Sequence, residues 1–197
     1  MKKIYFSQAR NRALQILDKP RAGSWVSLVE PSERELDELA EDFGLNRDNL
    51  SDAVDLYESP RIDYDEGNVY IYTRYCYPEG KDIATEPLLV IYTQRQLITI
   101  LRIKTGVLDR LSNDKLEFVT TQRTKTLLQV LSEVNLSYKL QLNKVSKQIL
   151  KIRGELRRSE IDNREFIRII ELEEDLNEFL AALQPQAVVL KSLTTGK

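Results

Sequence analysis

Residues 124–152 contain neither proline nor glycine, and this run restricts what the chain can fold into more than any other feature. Within it and just beyond, Leu127, Leu131, Val134, Tyr138, Val145, Ile152 and Leu156 recur at spacings of three, four and seven, interrupted at Gln141. That is the spacing of an amphipathic helix and not of a strand. With no breaker before Gly154, one helix of about 30 residues extends roughly 45 Å at 1.5 Å per residue. A second series follows a polar turn near Ser159: Phe166, Ile169, Leu172, Leu176, Phe179, Leu183, Ala187 and Leu190. Pro185 is expected to kink or shorten it. Two such helices joined by a short turn form an antiparallel hairpin. They outreach a compact body of 197 residues, so part of the pair must project or pack on another subunit, the alternative being an ordinary intramolecular bundle.

The first part of the chain has a different grammar. Residues 2–6, 13–18 and 25–29 read as short strands separated by Lys19-Pro20 and Gly23. Ser32 and Glu35 form a capping box for a helix whose apolar face is Leu36, Leu39, Ala40 and Phe43, closed by Gly44. A second helix is expected from an Asn46 cap through Leu50, Ala53, Val54 and Tyr57, ending before Pro60. Strands follow at 68–77, 87–93 and 97–103, the last two joined as a hairpin by Gln94-Arg95-Gln96. The expected fold class is α/β: a mixed sheet sandwiched by short helices, followed by a long antiparallel helical hairpin. Residues 1–120 are read as the sandwich domain and 121–197 as the helix pair.

Several chemistries are excluded by what is missing. There is no histidine, which removes Ser-His and Cys-His nucleophilic pairs and most zinc or copper sites. Cys76 stands alone, so no intrachain disulfide forms. No Gly-rich phosphate loop occurs. The longest uncharged stretch, residues 179–190, is too short to span a bilayer, which takes about 20 apolar residues, and no secretory signal is visible. The chain is not expected to be an enzyme.

Charge is uneven. Residues 30–66 hold 14 acidic side chains against Arg34, Arg47 and Arg61, whereas residues 95–168 hold 16 basic and 8 acidic. Such a division implies mutual docking, two different partners, or two solvated helix faces. The basic helix, with Lys139, Lys144, Lys147, Lys151, Arg153, Arg157 and Arg158, reads as a wet face or a counterpart of the acidic region; nucleic acid is not an expected partner. In the acidic region Asp48, Asp52 and Asp55 fall on one side of the expected helix, with Glu58, Asp63, Asp65 and Glu66 nearby. Carboxylates without His or Cys suit hard cations such as Mg2+ and Ca2+. Like charges on one helix face need a cation or a base opposite them. The alternative is a solvated acidic face.

The segment from Asn49 through Asp52, Asp55, Pro60, Arg61 and Ile62 to Asp63 resembles a signature of the CorA family of magnesium channels. In that signature a helix ending in a Leu-x-Asp type stretch precedes Pro-[Arg/Lys]-aliphatic-acidic. Trp25-Val26-Ser27-Leu28 is similar to the family's tryptophan strand before its Pro-x-Glu helix, Leu97-Ile98-Thr99-Ile100 to its hairpin strand, and Thr126-Leu127-Leu128 to the opening of its long helix. The likeness runs over residues 10–193.

The resemblance implies the cytoplasmic funnel domain of a homopentamer at the cell membrane, with a stalk helix, two transmembrane segments and a Gly-Met-Asn motif that this sequence lacks. It implies that Asp52 belongs to a regulatory metal site between neighbouring funnels, completed by a stalk carboxylate, with Asp55 and Asp48 as further candidate ligands. Ser51 stands where relatives often have an acidic residue, and Asp55 one turn later compensates. The implied ion is Mg2+, with Co2+, Ni2+ and Zn2+ as alternatives, since the family includes transporters of those ions. The basic stretch 144–158 departs from relatives whose helical tips are acidic. The competing reading is a stand-alone soluble oligomeric interaction protein of the same architecture. An acid/base hydrolase built on the acidic cluster is a distant third.

Overall fold

Strands at the centre of this molecule are apolar on both faces, which demands a covering layer on each side. In β6 (Asp82–Tyr92) and β7 (Leu97–Leu101), Leu88, Leu89, Val90, Ile91, Leu97, Ile98 and Ile100 are all fully buried. The computed structural model describes residues 1–80, 82–113, 116–156 and 163–195. The remaining strands are β1 (Lys2–Gln8), β2 (Asn11–Ile16), β3 (Trp25–Val29), β4 (Arg61–Asp65) and β5 (Asn68–Glu79). They form one seven-stranded sheet in the order β2-β1-β3-β7-β6-β5-β4. The β3–β7 pair is parallel and every other pair antiparallel, so the sheet is mixed as expected.

One face is covered by the short helices α1 (Glu33–Phe43) and α2 (Arg47–Asp52), whose Leu36, Leu39 and Leu50 pack on Val26, Leu28, Leu89 and Ile98. The other face is covered by the long helices and by α3 (Asp109–Ser112). The short helices thus supply one layer, and the hairpin itself supplies the second. Trp25 lies in this second core, stacked on Tyr5 with ring centroids 4.8 Å apart and donating from Nε1 to Thr99 Oγ1 at 3.0 Å.

Local signals placed α1 correctly. Ser32 accepts from the Glu35 amide while the Glu35 carboxylate accepts from the Ser32 amide, and Gly44 takes a left-handed conformation (φ 61°) that lets its N–H reach Ala40. We expect Ser32→Ala to cost about 1 kcal/mol, measured by urea denaturation, since the cap satisfies an otherwise orphaned amide.

α2 is shorter than the sequence implies: it stops at Asp52, with tight turns carrying the chain to Pro60. Continuing the helix would leave the Leu56 carbonyl waiting for an N–H from Pro60, which has none. Arg74 takes that carbonyl instead, at 2.7 Å, together with the Glu58 carbonyl at 3.0 Å. β4 was not foreseen.

α4 (Arg123–Leu156) and α5 (Asn163–Thr195) are the two long helices, α4 reaching about 51 Å. They run antiparallel, with Tyr138 meeting Phe179 edge-on at 5.8 Å near the sheet and Ile149 and Ile152 beside Ile169 and Leu172 further out. Pro185 does not shorten α5; the helix continues past it to Thr195. The expected turn near Ser159, with Arg157 and Arg158, lies outside the described residues.

Candidate functional site

The acidic signature folds into an ion cluster at the sheet edge. Asn46 caps α2 by accepting from the Asp48 amide at 2.9 Å, and Leu50 and Ala53 anchor the turn in the core. Asp52 ends the helix, and β4 starts nine residues on at Arg61. Pairing of Arg61 with Tyr72 in β5 puts the guanidinium over the Tyr72 ring, 3.7 Å from its centre. Three carboxylates converge on it: Asp52 Oδ2 at 2.7 Å, Asp63 Oδ2 at 2.7 Å, and Glu58. Tyr72 in turn donates its hydroxyl to the Asn49 carbonyl at 2.9 Å, tying β5 to α2.

Three negative charges on one positive leave a surplus of two. Burial works against the charge of Arg61, but Asp63, Glu58 and Asp52 outweigh it and hold the guanidinium far above its ordinary value. The Tyr72 phenol is raised, first by burial, against the lowering effect of Arg61 and with the support of the surrounding carboxylates. Arg61 is therefore the base that the clustered acids require.

The three aspartates expected to act together are placed differently. Asp52 is half-buried within the cluster, and among the described residues its Oδ2 is the oxygen engaged, by Arg61. Asp48 is exposed in the first turn of α2. Asp55 lies beyond the helix, its Oδ1 accepting from the Tyr57 amide at 2.9 Å. Among the described residues no group of three or more acidic or cysteine side chains is gathered in a geometry that could hold a metal by itself. Carboxylate oxygens do fit a hard cation, and Mg2+ keeps several waters and takes only one or two protein ligands. The donor chemistry of Asp52 suits such an ion as one part of a shared site.

A groove of about 600 Å3 adjoins the cluster, between the 56–60 turn, the sheet and α5. Its floor holds a second ion pair absent from the sequence reading: Arg102 donates to Glu86 through Nε at 2.6 Å and through its terminal nitrogen. Glu86 is only 2% exposed. The signal for it was a carboxylate directly before the apolar run 87–92.

The architecture is that of a soluble domain known from metal-ion transporters. Among solved structures, the soluble domain of CorA from Methanocaldococcus jannaschii superposes with a TM-score of 0.84 at 24% identity, covering 98% of this chain and 78% of that one. The complete CorA magnesium transporter of the same organism gives 0.82 at 21% identity, and this chain spans 62% of its length. The cytoplasmic domain of ZntB from Vibrio parahaemolyticus gives 0.75 at 13% identity, covering 98% of this chain and 79% of that one. These likenesses establish the fold. No curated protein sequence matches. The family model of the CorA-like Mg2+ transporter protein matches residues 21–197, and the chain belongs to that family. Among the described residues no helix is long and apolar enough to cross a membrane.

Proposed function

We propose that this chain is the cytoplasmic metal-sensing domain of a CorA-like divalent-cation channel, acting in a homopentamer at the cell membrane through Mg2+ shared between neighbouring copies. The transported ion is Mg2+, with Co2+, Ni2+ or Zn2+ as the alternatives. The observation that carries the reading is the cluster around Arg61, where acids outnumber the base and Asp52 lies at a half-exposed edge.

In this reading Asp52 gives one oxygen to a hydrated cation whose other protein ligand comes from the adjacent subunit. Asp48 at the start of α2 and Asp55 in the turn beyond its end raise the local concentration of cations without touching the ion directly. A cation that bridges copies in the closed arrangement binds that arrangement better than the open one, and so shifts the population toward it. Depletion of the ion releases the contact. Arg61 sets the sensitivity, since it competes with the cation for the same carboxylate.

The test is limited proteolysis of the full-length protein in membranes, with and without Mg2+. Wild type is expected to be protected by Mg2+; Asp52→Ala should need roughly tenfold more Mg2+ for the same protection, a loss of about 1.4 kcal/mol of coupling. Identical Mg2+ dependence in the two proteins overturns the role of Asp52. The competing reading, a stand-alone oligomeric interaction protein, draws on one observation, the exposed apolar face of α5.

A further inference from the structure

β7 pairs only with residues 88–92 of β6, so residues 82–87 have β5 on one side and, among the described residues, no strand on the other. α5 takes that open edge. Its Glu178 accepts from the Thr85 amide through Oε1 at 2.6 Å, and one turn earlier Asp175 accepts from the Ile83 backbone. Burial raises the Asp175 carboxyl above its ordinary value, and that bond works against it. Ile83 and Thr85 are two apart on a strand, so their amides point the same way. Asp175 and Glu178 are three apart on a helix, so their side chains share a face. The two carboxylates stand where the carbonyls of a neighbouring strand would be, and they satisfy an edge that otherwise stays unpaired.

The same Thr85 peptide is held from β5. Arg74 donates to the Thr85 carbonyl through Nη2 at 2.8 Å and to its hydroxyl through Nε at 3.1 Å, while Nη1 of the same guanidinium holds the Leu56 and Glu58 carbonyls. Glu58 is one of the three acids on Arg61, so Arg74 carries the turn that presents the cluster. The Arg74 carbonyl in turn accepts from the Tyr138 hydroxyl of α4 at 3.2 Å. We propose that Arg74 is a positioning residue that fastens the Asp52 cluster to the long helices, so that the 56–60 turn and α5 shift together. The turn and Glu178 both line the groove beside the cluster, and the guanidinium joins them: displacing the turn pulls on Thr85, and Thr85 pulls on Glu178. Only a planar fork of donors can hold both sides at once, which a lysine ammonium cannot do. What the tie transmits rests on the metal-sensing reading: a cation that repositions the acids of the cluster repositions α5 through the same guanidinium, which is a coupling free energy between two places in the fold.

Amide hydrogen exchange of the 197-residue chain in EDTA, read by mass spectrometry, tests the tie. Glu178→Ala is expected to speed exchange in the 54–59 turn about tenfold, although Glu178 bonds Thr85 and not the turn, because the loss of one charge-assisted bond loosens what Arg74 holds. In Arg74→Lys the turn exchanges faster from the start, and adding Glu178→Ala changes it no further. Two residues that each support only their own surroundings would give additive effects instead. Peptides from α1 and β3 report that each variant is folded. Should Glu178→Ala fail that control, Glu178→Gln keeps an acceptor without its charge and gives the same pattern at smaller amplitude. Turn exchange unchanged by the Glu178 variant, or raised equally with Arg74 and with Lys in its place, overturns the inference. The metal reading is scored separately, by the Mg2+ dependence of Asp52→Ala. Non-additive exchange with Asp52→Ala silent overturns the metal reading and leaves the tie, whereas a Mg2+ response lost in Asp52→Ala beside additive exchange overturns the tie alone.

Discussion

Arg61→Met will destabilise this chain by about 2 kcal/mol in EDTA, and Mg2+ will restore much of the loss. The variant leaves Asp52, Glu58 and Asp63 facing one another with no cation between them. Stranding a fully buried carboxylate costs about 3–5 kcal/mol, but the Asp52 and Asp63 side chains are 41% and 40% exposed and Arg61 33%, so screening by water reduces the figure. A cation that binds only the folded form then stabilises it by mass action, up to about 2.7 kcal/mol at a hundredfold excess over its dissociation constant. Thermal melts across a Mg2+ titration check this. The melting temperature of Arg61→Met should climb with Mg2+ more steeply than that of wild type, and equal slopes would show that the carboxylates do not attract the ion.

Arg102→Ala carries the larger penalty, about 3–5 kcal/mol, because Glu86 beneath it is almost completely buried and loses both of its charged hydrogen bonds. The pair also holds the Arg102 guanidinium above its ordinary value, chiefly through the bond to Glu86. Urea denaturation of the variant beside wild type checks the size of the loss. The double variant Glu86→Gln with Arg102→Met should be far milder than Arg102→Ala, since no charge is stranded.

Features decided by neighbours in sequence were readable in advance. The Ser32–Glu35 cap and the Gly44 turn fix α1 from residues within one turn of each end, and the breaker-free run fixes α4. Features decided by strand register were not. β4 is five residues long with charges at Arg61, Asp63 and Asp65, and it becomes a strand only because β5 offers it an edge. The end of α2 depends on Arg74, eighteen residues beyond the Leu56 carbonyl it takes. The candidate site follows the same division. Asp52 and the Pro60-Arg61-Ile62-Asp63 run could be singled out as a motif, but that Arg61 gathers Asp52, Glu58 and Asp63 over Tyr72 is a product of β4–β5 pairing. Asp48 and Asp55 share a face only on a helix longer than the one that forms.

The proposed role as the regulatory part of a membrane-embedded cation channel is tested by fractionation of the native cells, blotted with an antibody against this domain. The expected result is a band well above 22.9 kDa in the washed membrane pellet. A soluble band of about that mass, with nothing in the membranes, would contradict it.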